Sequence, residues 1–235
     1  MKNILIIFFV FLFSFNVISC SKKDSGSSST STDSDGTTNS CFSTSISSRQ
    51  LARSSNDYAY GVATDLSGNV YVAGGTNGGL DGNTNAGNTD LFVVKYNSSG
   101  TKQWTKQLGS SSDDYANGIV TDSSGSVYIS GTTYGGLDGN TSAGNADLFV
   151  VKYNSSGSKQ WTKQLGTPST DTANGVATDS SGNVYVAGGT YGGLDGNTGS
   201  GVNDLFVVKF NSSGTKQWTK QLGSSRILHS QTHSR

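Results

Sequence analysis

Apolar residues along the middle of this chain come in short runs separated by Gly, Asn, Ser and Asp, which is strand-and-turn patterning rather than helical periodicity. Gly118-Ile119-Val120-Thr121-Asp122 predicts a short strand and Ser123-Ser124-Gly125-Ser126 a turn. Val127-Tyr128-Ile129-Ser130-Gly131 then returns as a second strand, closing a tight hairpin. A long polar loop runs from Tyr134 through Asn145. Asp147 to Tyr153 predicts a third strand, Asn154-Ser155-Ser156-Gly157 its turn, and Lys159 to Leu165 a fourth. In the third strand Leu148 and Val150 point to one face, and Phe149 and Val151 to the other. Both faces are apolar, so the sheet must be covered on both sides.

The same unit recurs with a 57-residue period, and Trp104, Trp161 and Trp218 fall at one offset within it. A fixed period of this size means supersecondary units that cannot bury their apolar surface alone. Four antiparallel strands in a meander, covered on both faces and repeated at near-constant length, describe a propeller blade. A β-helix would need parallel strands and shorter coils, and a sandwich needs no strict period. The expected fold is therefore all-β: a propeller-like array of three four-stranded antiparallel blades, at about 57–113, 114–170 and 171–223. Propellers close with about four to eight blades, so three make an incomplete or open ring. The stretch 47–56 adds a partial strand, since Gln50-Leu51 aligns with Gln107-Leu108. After Ser225 the pattern stops: within the tail segment 224–235, the residues from Arg226 to Arg235 share nothing with the repeat. The expectation is a frameshifted or truncated gene, with an arc that self-associates to complete the ring, or one completed by a partner, as the alternatives.

Several blocks together resemble a known family. Asp-x-x-Gly-Asn-Val-Tyr-Val-Ala-Gly-Gly-Thr, from Asp65 and from Asp179, occurs with Gly-Gly-Leu-Asp-Gly-Asn-Thr and Asp-Leu-Phe-Val-Val-Lys-Tyr. This is similar to the SBBP β-propeller repeat of bacterial surface proteins, spirochaete lipoproteins included, and the likeness spans Asp57 to Gly223. The resemblance implies a propeller and no particular reaction. The Asn-Ser-Ser-Gly-x-Lys-Gln-Trp stretch also resembles quinoprotein-type propellers, in which the Trp docks between adjacent blades. Trp104, Trp161 and Trp218 are expected to do the same here.

The N-terminus reads as an address. Lys2 precedes the apolar run Ile4 to Phe13, too short to span a bilayer as a helix. Val17-Ile18-Ser19-Cys20 then resembles the lipobox of bacterial lipoproteins. That resemblance implies a signal peptide over 1–19 and a diacyl group on Cys20, an anchor of the stable, multi-chain kind. Ser21 to Ser40 holds no aliphatic residue, so 20–56 is expected to be a flexible Ser/Thr/Gly linker behind the lipidated Cys. With Cys20 acylated, Cys41 has no partner in the chain. The expected localisation is the outer membrane or cell surface.

Composition narrows the chemistry. Sixteen basic residues balance sixteen acidic ones, so no global field attracts nucleic acid. Between Asp57 and Gly223 there is no His, Cys, Glu or Arg. That excludes Ser-His-Asp and Cys-His nucleophile arrangements and the usual zinc ligands. No catalytic residue is expected. No cofactor is called for either; calcium is the one candidate ion, through the polar loop. Asp81, Asn83, Asn85 and Asp90 space oxygen ligands alternately, as do Asp138, Asn140 and Asp147, while Asp195, Asn197 and Asp204 form a weaker third set. An Asx-turn-rich loop bonding its own backbone is the competing reading. Asn77, Tyr134 and Tyr191 precede the Gly-Gly loops and are expected on one rim, where Tyr among Gly, Ser and Asn suits contact with protein or glycan. The expected function is a membrane-anchored interaction module. Its alternatives are a periplasm-facing scaffold resembling propeller lipoproteins of outer-membrane assembly, and a glycan-binding propeller.

Overall fold

The computed structural model describes residues 55–224 and two short strands upstream of them. The signal segment, Cys20, Cys41, all but the last two residues of the 47–56 partial strand and the tail from 225 lie outside the described residues. The chain divides into two compact units, Met1–Arg49 and Gln50–Arg235. In the first unit β1 (Thr30–Thr32) pairs antiparallel with β2 (Thr38–Ser40), Thr30 opposite Ser40. This pair falls inside the tract expected to be a flexible linker; β-branched Thr at three of its six positions favours the extended chain.

The second unit holds three four-stranded antiparallel sheets. The first contains β3 (Asp57–Thr64), β4 (Val70–Thr76), β5 (Asp90–Tyr96) and β6 (Lys102–Leu108). The second contains β7 (Asp114–Thr121), β8 (Val127–Thr133), β9 (Asp147–Tyr153) and β10 (Lys159–Leu165). The third contains β11 (Asp171–Thr178), β12 (Val184–Thr190), β13 (Asp204–Phe210) and β14 (Lys216–Leu222). Each is a meander in sequence order, as the patterning predicts. No helix among the described residues is long and apolar enough to cross a membrane.

One strand differs from expectation. β7 begins at Asp114 rather than Gly118, because a bulge between Ala116 and Gly118 interrupts the alternation that marks a strand in sequence. The same bulge sits at Ala59/Gly61 and Ala173/Gly175. It lets the innermost strands approach one another: a methyl group built on Gly118 would come within 3.1 Å of the Gly175 Cα.

The core lies between sheets. Tyr71, Ala73, Leu91 and Val93 of the first sheet form one cluster with Ala116, Ile129, Phe149 and Val151 of the second. Tyr128, Leu148 and Val150 on the opposite face of the second sheet cluster with Ala173, Val186, Phe206 and Val208 of the third. β9 is thus buried on both faces, as its sequence requires. Backbone ties reinforce the junctions: Asp114 N donates to Thr89 O at 2.7 Å and Asp171 N to Ala146 O at 2.8 Å.

The hairpin turns are set by carboxylates. Asp122 Oδ1 accepts from Ser124 N and Ser126 N, each at 2.9 Å, and the Tyr128 hydroxyl donates to Oδ2 at 2.9 Å. Gly125 supplies the left-handed residue of the turn, at φ 75°. Burial works against the Asp122 carboxylate, yet hydrogen bonds from Ser124, Ser126 and Tyr128 outweigh it and hold the group below its usual 3.8. A depressed folded pKa contributes stability above the unfolded value and loses it as pH falls through the folded one. Asp122→Ala is therefore expected to cost about 1–2 kcal/mol at pH 7. The difference from the unsubstituted chain should shrink as the medium falls below about pH 4, where the unfolded carboxyl takes up its proton first and the folded one follows at lower pH. Urea unfolding at a series of pH values checks both statements.

Candidate ligand contact site

The inner strands β3, β7 and β11 bring one set of side chains together at the mouth between sheets. Tyr60 of β3, Tyr115 and Asn117 of β7, Thr132 of β8, Tyr134 just beyond it and Thr172 of β11 line a cavity of about 240 Å³. The bulge aims Asn117, whose Nδ2 donates to Ala173 O at 2.9 Å and Thr132 Oγ1 at 3.3 Å. Tyr134 is placed by its own N–H, which donates to Asp113 O at 2.9 Å. Gly75 leaves the space that Tyr115 and Tyr60 occupy: a methyl group there would lie 3.3 Å from Tyr115 Cδ1 and 3.7 Å from Tyr60 Cε2. Tyr58 stacks on Tyr60 with ring centroids 6.3 Å apart. Burial, then Tyr115 and Tyr58, push the Tyr60 phenol above its usual 10.0, so that hydroxyl stays protonated near neutral pH. No ammonium or carboxylate lines the cavity. It offers aromatic faces, hydroxyls and one amide, which is contact chemistry rather than proton-transfer chemistry.

Of the rim residues expected from sequence, Tyr134 lines this cavity while Tyr191, half-exposed, does not. Asn77 turns to its own sheet, its Nδ2 donating to Thr89 Oγ1 at 2.9 Å. Tyr60 and Tyr115 were not among the expected residues. A signal for them exists: Tyr60 aligns with Asn117 and Asn174, and Tyr115 with Tyr58 and Thr172, so near-identical copies diverge where the cavity lies. A second, larger hollow of about 560 Å³ is lined by Leu165 to Ser169 and by Gly192, Gly193, Asp195 and Gly196.

The tryptophans sit where sheets meet. Trp104 Nε1 donates to Ser155 O, and Trp161 Nε1 to Ser212 O, each at 3.3 Å and each in the turn of the following sheet. Gly157 lies so close that a methyl group would sit 2.9 Å from Trp104 Cδ2. Trp218 packs on Tyr185 at 6.1 Å but stays 38% exposed, with no following turn among the described residues.

The loop residues weighed as calcium ligands have protein partners. Each opens on a 3-10 turn, Leu80–Gly82, Leu137–Gly139 or Leu194–Gly196, whose central Asp takes a left-handed φ of 55°. Asp81, Asp138 and Asp195 pair with Lys102, Lys159 and Lys216. Asn83, Asn140 and Asn197 donate to the carbonyls of Leu80, Leu137 and Leu194 at 2.8 Å. Asn85 donates to Gly87 O. Asp90 accepts from Ala86 N and Gln107 Nε2 at 2.8 Å; Asp147 and Asp204 accept likewise from Gln164 and Gln221. Among the described residues no group of three or more His, Cys, Asp or Glu is gathered to hold a metal ion. Calcium would have to displace a lysine from each loop. Millimolar calcium is accordingly expected to leave the melting temperature unchanged; a rise of several degrees on titration would mean that the loop reorganises around the ion.

Three stretches, residues 48–81, 103–138 and 160–195, match the SBBP family of β-propeller repeats. The chain carries three SBBP β-propeller repeats. Each complete match begins on the outermost strand of one sheet and continues through the two inner strands of the next, so the SBBP unit straddles a junction. Strands β5, β9 and β13 lie outside the matched stretches, which are narrower than the resemblance expected from Asp57 to Gly223. Among curated proteins the chain is similar to the regulatory protein FlaEY of Caulobacter vibrioides, 28% identical over 183 residues, covering 69% of this chain and 19% of that protein. It is also similar to an uncharacterized WD repeat-containing protein, L264, of Acanthamoeba polyphaga mimivirus, 26% identical over 175 residues, covering 62% of this chain and 12% of the relative. The chain thus spans a fifth or less of the relatives it matches.

Proposed function

We propose that this chain is an exported, lipid-anchored β-propeller interaction module that works at the bacterial outer membrane or cell surface and binds a protein segment through the tyrosine mouth between its sheets. The observation that carries the reading is the cluster of Tyr60, Tyr115 and Tyr134 around an uncharged cavity in a body without His, Cys, Glu or Arg. Tyrosine gives large contact area at small rotamer cost, and hydroxyls and amides beside it adapt to backbone partners. Similarity to a protein described as regulatory suits a partner-binding role. The lipobox-like Val17-Ile18-Ser19-Cys20 supports the anchor. A second reading, glycan binding, draws on the Tyr58–Tyr60 stack, a flat aromatic surface that suits the apolar face of a sugar ring.

Two outcomes test this. Cys20→Ser should move the chain from the membrane to the soluble fraction, because the remaining signal alone supplies no acyl anchor. Retention in the membrane fraction would remove the lipid-anchor part. Tyr115→Ala and Tyr134→Ala should each weaken capture on a peptide library by tenfold or more. Each should cost the fold no more than about 1–2 kcal/mol, as both side chains are only partly covered. Binding to a glycan array with silence on the peptides would favour the second reading, and silence on both would sink the mouth as a contact site.

A further inference from the structure

The tyrosine mouth has a polarity, and Asn117 sets it. Its Nδ2 donates one proton to Ala173 O at 2.9 Å and the other to Thr132 Oγ1 at 3.3 Å. A carbonyl oxygen can only accept, so the bond to Ala173 fixes which way the amide lies. With both protons committed, Asn117 has only Oδ1 left to offer, and no group among the described residues donates to it. The phenolic oxygens of Tyr60, Tyr115 and Tyr134 likewise have no protein partner among the described residues. Tyr60 and Tyr134 are half-exposed, so a bound group reaches them from solvent. The lining thus presents aromatic rings and oxygen acceptors, with no lysine or arginine beside them.

Rings combined with oxygen acceptors are how this fold already holds its own cations. Lys95, Lys152 and Lys209 set their ammonium groups over Tyr71, Tyr128 and Tyr185, 5.2, 5.0 and 5.3 Å from the ring centroids. Lys95 Nζ also donates to Ser155 O at 3.0 Å, and Lys152 Nζ to Ser212 O at 3.3 Å. There the neighbouring strand supplies the cation, as Lys95 of β5 lies opposite Tyr71 of β4. At the mouth the rings and acceptors are present, and the cation has to come from another molecule. The ring quadrupole attracts a cation over its face, more strongly as water is excluded. At about 240 Å³ the cavity is smaller than the roughly 300–1,000 Å³ of a drug-sized ligand site and suits a single side chain.

We propose that the mouth is the anchor pocket for an arginine side chain on the partner's bound segment. This rests on the mouth being a peptide-binding site and names the side chain it takes. A lysine ammonium is strongly hydrated, and no carboxylate lines the cavity to offset the loss of its water. A guanidinium is weakly hydrated and stacks flat on aromatic rings. It also spreads five donors, enough for Asn117 Oδ1 and several hydroxyl oxygens at once. The stacked Tyr58 and Tyr60, 49% and 50% exposed, form a flat surface beside the pocket for the flanking backbone.

The test uses the full chain in detergent and an array of Gly/Ser peptides that each carry one central arginine, lysine or citrulline. Citrulline is the uncharged counterpart of arginine. Arginine peptides should be captured about tenfold better than citrulline peptides, and better than lysine peptides. Thr172, half-buried in the lining, tunes the site: Thr172→Asp should strengthen arginine capture, and Thr172→Lys should abolish it. Neither change should alter citrulline capture. Circular dichroism checks folding, and Thr172→Glu with Thr172→Arg repeats the design if a variant is unfolded. Equal capture of arginine and citrulline, lost in Tyr115→Ala, overturns the arginine assignment and leaves the mouth as a peptide site. Equal capture of lysine overturns the choice of guanidinium. Free arginine that competes at the same concentration as the arginine peptide would assign the pocket to a small guanidinium compound instead. Silence here, with capture on an unrestricted peptide library, overturns the assignment alone; silence on both removes the peptide site with it.

Discussion

A strand with apolar side chains on both faces has to be covered twice, and no four-stranded meander can do that by itself. Asp-Leu-Phe-Val-Val-Lys, at the centre of every sheet, imposes this demand. Leu148 and Val150 need one neighbour while Phe149 and Val151 need another, and the second sheet finds them in the third sheet and the first. At roughly 25 cal/mol per Å² of apolar area, stacking sheets is what stabilises the fold. The short hairpins contribute little alone.

The remaining features serve that stacking. Glycine at the bulge permits the inner strands to come within contact distance, and glycine in the outer turn leaves room for the indole of the preceding sheet. Trp104 and Trp161 each close a junction with a hydrogen bond to the neighbouring turn carbonyl, satisfying a polar atom that packing would otherwise strand. The buried Asp at the head of β7 and of β11 ties its own approach segment: Asp114 accepts from Ser110 N at 2.6 Å and Ser110 Oγ at 2.9 Å, and Asp171 from Thr167 N at 2.6 Å and Thr167 Oγ1 at 2.8 Å. The sister copies differ in kind at the mouth, where Tyr60 stands for Asn117 and Asn77 for Tyr134. Packing constrains the sheet interior, whereas the mouth is free to carry recognition.

Much of this was legible in the chain. The strand faces, the meander, the Asx-type turns at Asp122 and the 57-residue spacing follow from alternation and turn chemistry, which are local properties. The first four residues of β7 were not legible, since a bulge removes the alternation that identifies a strand. The candidate calcium loops show the opposite failure. Oxygen-bearing side chains at ligand-like spacing are also what a loop uses to bond its own backbone, and Lys102 and Gln107, distant in sequence, take up Asp81 and Asp90. Of the mouth, Tyr134 was foreseen from its place before the Gly-Gly loop. Tyr60 and Tyr115 were not, because they come from strands whose sides cannot be assigned until the bulge is known.

The sequence by itself determined the unit: four strands, their turns, and a demand for cover on both faces, all set by interactions among residues near one another in the chain. It also determined what chemistry is absent from the repeats, since side chains that are not encoded cannot be positioned. Only the tertiary structure decided which residues meet across junctions, for those contacts join positions a whole repeat apart. Trp104 reaching Ser155 and Tyr60 facing Tyr115 depend on how closely two glycine-bearing inner strands approach. That approach distance belongs to the packed pair of sheets, and no single copy of the repeat contains it.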